Sequence, residues 1–134
     1  MKPKVQKFKG PYTVEYCPKC KSLLLIWYQQ RTRDCVDLTE MRPDGFEHTL
    51  DMDVIDSDTN RDYCPNSNCD ENVWAVEISA KVYNQLRRDV KKTKGYGVPF
   101  YFSKEELDNG MPRVDDLEVY NKRMFEQSLK RLPE

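Results

Sequence analysis

Four of the five cysteines fall in two close pairs, and each pair opens with Tyr-Cys-Pro. Cys17 and Cys20 enclose two residues in YCPKC, Cys64 and Cys69 enclose four in YCPNSNC, and 43 residues lie between the pairs. A close pair does not easily bridge to itself, but it can aim two soft thiolates at one ion. C-x2-C is the spacing of a tight knuckle whose backbone N–H groups can bond the sulfurs, and C-x4-C is a looser version. The pattern predicts one zinc ion held by Cys17, Cys20, Cys64 and Cys69, with disulfides or unliganded thiols as the alternative. Four thiolates would close the coordination shell and give the site a net charge of about -2. Catalytic zinc usually keeps an open position for water, so the expected role is structural and no enzymatic activity is expected.

The remaining candidate groups form no catalytic set. Cys35 precedes Val36 in a strand-like stretch and reads as a small buried residue. His48 reads as a solvated side chain in an acidic loop, with substitution for a cysteine ligand as the other option. Asp56, Asp58, Asn60 and Asp62 match the first four ligand positions of a calcium-binding EF-hand loop. Arg61 and Ser67 stand where that loop needs its glycine and its bidentate glutamate, which argues against calcium. In RRDVKKTK, Arg87, Arg88, Lys91 and Lys92 could contact phosphates on one side of a helix. The competing reading is the ordinary charged exterior of an amphipathic helix, and nucleic acid is not the favoured partner.

The elements that must position the cysteines show in the period of the apolar residues. SLLLIWYQQ reads as a strand beside the first pair. NVWAVEIS alternates Trp74, Val76 and Ile78 with Ala75, Glu77 and Ser79, the pattern of a half-buried strand after the second pair. Between the pairs, Asp34 to Asp62 holds ten acidic residues and two arginines. This stretch reads as a solvated hairpin turning at Asp44-Gly45, with Phe46, Leu50, Met52, Val54 and Ile55 supplying apolar contacts. Val82, Leu86 and Val90 recur every fourth residue, predicting a helix from about Ala80 to Lys92 that stops near Gly95. GYGVPFYF reads as an extended aromatic link. Ser103 and Glu106 form a capping-box pattern for a short helix ended at Asn109-Gly110. Val114, Leu117, Tyr120, Met124 and Phe125 mark one face of a last helix from about Pro112 to Leu132, and that stripe is the candidate partner-binding surface.

Around the cysteine pairs, from Cys17 to about Ile78, the chain resembles the zinc-ribbon family. That family includes small subunits of cellular and viral RNA polymerases, transcription elongation factors and ribbon proteins of large DNA viruses. The resemblance implies that the four cysteines are the ligands of a ribbon whose antiparallel strands run away from the ion. The expected fold is therefore a small metal-stabilised α+β domain. It divides into a basic N-terminal arm over residues 1–10, a zinc ribbon over 11–79 with an acidic insertion at 34–62, and a helical and extended arm over 80–134.

Bulk composition bounds the function. Of 134 residues, 38% are apolar and 34% charged, which is too polar for a large independent core and points to support from a metal or a partner. A net charge of -1 gives no general attraction to nucleic acid. The longest apolar run, LLLIWY, is far short of a membrane span, and the lysine-rich start has no apolar signal region. The expectation is an intracellular (cytoplasmic or nuclear) or virion protein, not secreted by a signal peptide. Its expected function is to pack between protein subunits of a larger assembly. The resemblance favours a capsid-type component of a large DNA virus; the alternative is a transcription-associated ribbon contacting RNA polymerase or nucleic acid.

Overall fold

The structure is a computed structural model that describes residues 9–32, 35–54, 61–66, 69 and 71–131. Strand residues alternate between faces, and β1 (Tyr12–Cys17) buries Tyr12, Val14 and Tyr16 on one of them. β1 pairs antiparallel with β2 (Ser22–Leu24) on one side and with β7 (Trp74–Ile78) on the other. β8 (Gly97–Pro99) adds to β2, and β9 (Arg113–Val114) adds to β7 as a short parallel pair. The resulting five-stranded sheet has the order β8-β2-β1-β7-β9. A four-stranded antiparallel sheet, in the order β5-β4-β3-β6, contains β3 (Ile26–Thr32), β4 (Cys35–Met41), β5 (Glu47–Val54) and β6 (Arg61–Tyr63).

The apolar run expected as one strand is divided between the two sheets. Leu25 separates β2 from β3, and the N–H groups of Leu25 and Ile26 both donate to the Tyr96 carbonyl, at 3.0 and 3.1 Å. Tyr96 leads into β8, where a Cβ on Gly97 would sit 2.2 Å from the Leu23 carbonyl oxygen. Only glycine permits that approach.

Helix α1 (Ala80–Thr93) begins at Ser79, whose side chain accepts from the Val82 N–H, and ends at Lys94 in the left-handed conformation. It buries Val82, Leu86 and Val90 as the spacing predicts, together with Tyr83, whose ring stacks on Tyr12 at 3.9 Å. The capping box of Ser103 and Glu106 opens α2 (Lys104–Asp108). The expected aromatic link instead carries β8 and then core side chains, with Val98, Phe100 and Phe102 buried. The Tyr16 hydroxyl donates to the Phe100 carbonyl at 3.0 Å, and its ring meets Phe102 edge-on at 4.8 Å. Helix α3 (Leu117–Arg131) starts later than expected because Val114 belongs to β9.

The β4–β5 pair runs from Met41 opposite Glu47 to Cys35 opposite Val54, with a bulge between Leu38 and Thr39. Its connection is not the expected two-residue turn. Gly45 N–H donates to the Arg42 carbonyl at 2.9 Å, Arg42 N–H donates to the Phe46 carbonyl at 3.1 Å, and Gly45 has φ 84. These bonds define a three-residue loop, a type I turn closed by a left-handed glycine, with Pro43 supplying the fixed φ of the turn's first central position. The hydroxyls of Tyr12 and Tyr83 hold this end, donating to the carbonyls of Pro43 at 2.8 Å and Met41 at 2.7 Å. Phe46, Leu50, Met52 and Val54 do not make the packing contacts expected of them. They are 70%, 41%, 60% and 86% exposed, because β5 is an edge strand and the helices pack on the other sheet. Ile55 lies outside the described residues.

Candidate metal centre

Cys17 ends β1, and the turn through Pro18 and Lys19 brings Cys20 back beside it before β2 begins. Lys21 closes that turn in the left-handed region, with φ 52. The Cys20 N–H donates to Cys17 Sγ at 3.3 Å, and the Lys19 N–H supports the same sulfur. Cys64 follows β6; its own N–H donates to the Glu71 carbonyl at 2.9 Å, and the Cys69 N–H donates to the Asn66 carbonyl at 3.1 Å. The N–H groups of Asn66 and Glu71 bond the sulfurs of Cys64 and Cys69. Both loops therefore turn backbone donors onto sulfur, as a knuckle requires. A bridge between Tyr63 and Asn72 closes the second loop, and β7 then runs into the five-stranded sheet.

All four sulfurs lie within 4.8 Å of one another. The shorter separations join the two loops: Cys20 to Cys69 at 3.2 Å, Cys17 to Cys69 at 3.6 Å and Cys20 to Cys64 at 3.8 Å. A tetrahedral ion with metal–sulfur bonds of about 2.3 Å sets its ligands about 3.8 Å apart. The donor set therefore fits one four-coordinate ion. Cys17, Cys64 and Cys69 are buried, and Cys20 is half-buried. Burial pushes the Cys17 thiol up to about 11 and raises Cys64 as well, against the backbone N–H groups that favour the thiolates. At Cys69 burial acts in the same direction, but the Glu71 N–H and the neighbouring thiols outweigh it and hold the group below the usual thiol value. Four sulfurs packed this closely resist carrying charge together unless a cation shares the site.

Comparison with protein-family models, with curated proteins and with solved structures finds no match. The cysteine centre stands on its own geometry.

The structure brings together the four predicted ligands and leaves Cys35 and His48 apart from them. Cys35 starts β4 and is half-buried, not fully buried as expected, because its register partner is the exposed Val54. His48 belongs to β5 and not to a solvated loop, and its Nε2 lies 2.8 Å from Asp44 Oδ2. The Phe46 N–H and then His48 hold the Asp44 carboxyl below its ordinary value. Neither Cys35 nor His48 joins the sulfur group. Asp56, Asp58, Asn60 and Ser67 lie outside the described residues, and Asp62 is a strand residue of β6.

The expected apolar stripe is split. Val114 is buried in β9, and Tyr120 is buried with its hydroxyl donating to Asp89 at 2.8 Å, so neither presents a surface. Leu117 and Met124 pack against the core, while Phe125 is 63% exposed. Arg88, Lys91 and Lys92 are exposed on α1 and Arg87 is half-buried. Among the described residues no helix is long and apolar enough to cross a membrane.

Sequence reasoning missed Glu15. Alternation with Val14 and Tyr16 would turn it outward, yet the carboxyl is buried on the side of β1 that also carries Cys17. Burial first, then the carboxylates of Asp62 and Glu47, push it up to about 8. The signal is tertiary: Glu47 and Asp62 come from the other sheet.

Proposed function

We propose that this chain is a non-enzymatic, zinc-stapled structural protein that packs between larger proteins of a multi-protein assembly. The observation that carries the reading is where the cysteines sit. One pair closes the β1–β2 hairpin of the five-stranded sheet. The other lies where the chain leaves the four-stranded sheet for β7. An ion held by all four would fasten the sheets at their crossing and keep no coordination position for a substrate. Zinc suits a shell of four thiolates, and its binding energy would be folding energy. Val119 and Phe125, exposed on α3, leave apolar surface for a neighbouring protein. A capsid-type setting in a large DNA virus rests on the resemblance of the cysteine-bearing region to ribbon proteins of such viruses.

The test is what co-purifies with the native protein, alone and with Phe125→Asp. The structural reading predicts defined protein partners that are lost in the variant while its metal content is unchanged. The exposed cationic residues of α1 support a second reading, a transcription-associated module that contacts RNA polymerase or nucleic acid. It predicts salt-sensitive binding that disappears when Arg87, Arg88, Lys91 and Lys92 are neutralised together. That outcome would replace the structural reading.

A further inference from the structure

We propose that β5 accepts an extended basic segment of a partner protein as an added strand. The proposal is independent of the metal centre and stands on the edge of the four-stranded sheet. β5 spans eight residues, pairs with β4 on one side and, among the described residues, forms the outer edge of that sheet. An edge of this length offers backbone donors and acceptors to an incoming chain, and folded proteins normally blunt it. Here the blunting is partial. A bulge interrupts the pairing between Leu38 and Thr39, and Asp51 Oδ1 accepts the Met52 N–H at 2.8 Å. Leu50, Met52 and Val54 nevertheless stay 41%, 60% and 86% exposed, beyond what an isolated surface residue explains.

Past the bulge, the sequence Asp51-Met52-Asp53-Val54 sorts by face. Met52 and Val54 stand opposite Asp37 and Cys35, while Asp51 and Asp53 stand opposite Leu38 and Val36. The row of aspartates decides the occupant. Two copies pairing β5 with β5 about a two-fold axis through Met52 would set Asp51 against Asp53 twice, and an axis through Asp51 or Asp53 would set that aspartate against its own copy. Like charges directly opposed destabilise a strand pair. A segment with Lys or Arg at alternate positions places cations across from Asp51 and Asp53. Its intervening apolar residues then cover Met52 and Val54. β5 itself carries Glu47, Asp51 and Asp53 and no lysine or arginine, so the complementarity is one-sided. Main-chain pairing supplies affinity, and the alternation supplies specificity.

Three capped synthetic peptides test this on the full-length protein: alternating Lys-Val, alternating Glu-Val, and a block peptide with the lysines before the valines. Amide hydrogen exchange of β5 and fluorescence titration are the readouts. The alternating Lys-Val peptide is expected to slow exchange at Asp51 to Val54 and to bind at least about tenfold more tightly than the other two. The surface double variant Asp51→Lys/Asp53→Lys is expected to reverse the preference toward Glu-Val. Three results would overturn the proposal: no slowing of β5 exchange by any peptide, equal binding of the block peptide, or concentration-dependent protection of β5 in the protein alone. The second would mean charge without strand pairing, and the third would mean that a second copy is the occupant.

Discussion

The two sheets are built from similar alternating strands, and both contribute buried residues to one core, but β5 of the four-stranded sheet keeps its apolar side chains in solvent. In the five-stranded sheet Val14, Leu23, Val76 and Ile78 are completely covered, because α1 packs Tyr83 on Tyr12 and the segment after β8 drives Phe100 and Phe102 against Tyr16. In the four-stranded sheet, β5 keeps Met52 and Val54 in solvent although its backbone pairing is long and regular past the bulge. The second sheet meets the first through Trp27 and Met41 in the common core and at the hairpin turn, where Tyr12 and Tyr83 bond the carbonyls of Pro43 and Met41. Alternation in a strand therefore fixes which residues share a face. Whether that face is covered depends on what the rest of the chain brings to it.

The largest effect separates the two sheets directly. Leu23→Ala should cost about 2–5 kcal/mol, since it empties a covered site between β1 and β8. Met52→Ala on the exposed edge should change stability by no more than about 0.5 kcal/mol. Denaturant unfolding of both variants checks the contrast, and equal losses would mean that β5 is packed after all.

Next in size is the buried carboxyl between the sheets. Glu15 titrates near 8 in the folded protein, against an ordinary value of 4.5. Its folded pKa is the higher one, so folding favours the neutral acid. The associated stability is complete below about 4.5 and is lost as pH rises through about 8. Glu15→Gln, which stays neutral, should therefore gain on the wild type as pH rises through that window, by roughly 1–3 kcal/mol at the alkaline end. The difference between the two proteins at equal metal loading is the readout, because thiolate deprotonation affects both alike. A constant difference across the window would remove the charge argument.

A smaller effect tests the tether. Tyr83→Phe deletes the hydroxyl bonded to Met41 and keeps the ring stacked on Tyr12, so it should cost about 1 kcal/mol. Amide exchange should accelerate at the hairpin turn and leave β1 and β7 unchanged. Uniform acceleration would place the tether inside the main core instead.

What the sequence showed of this arrangement was local chemistry. The cysteine spacings, the four-residue recurrence of Val82, Leu86 and Val90, and the Ser103–Glu106 box each depend on neighbours in the chain, and each element forms where its pattern lies. The features that were not legible depend on distant partners. The change of sheet at Leu25 is fixed by the carbonyl of Tyr96, β8 by the close approach of Gly97 to Leu23, and β9 by its parallel pairing with β7. Val114 read as helical because its spacing to Leu117 fits a helix; in place it is a strand residue. The exposure of β5 was hidden for the same reason, since alternation carries no record of which strand ends at the edge.

The central claim is that four cysteines and one zinc join the two sheets. Elemental analysis of protein purified without added metal, wild type beside Cys64→Ser, tests it most directly. The account predicts about one zinc per wild-type chain, lost in the variant together with the near-ultraviolet circular dichroism of the packed aromatic core. A folded wild-type protein without stoichiometric zinc, or a variant that keeps both metal and spectrum, would contradict it.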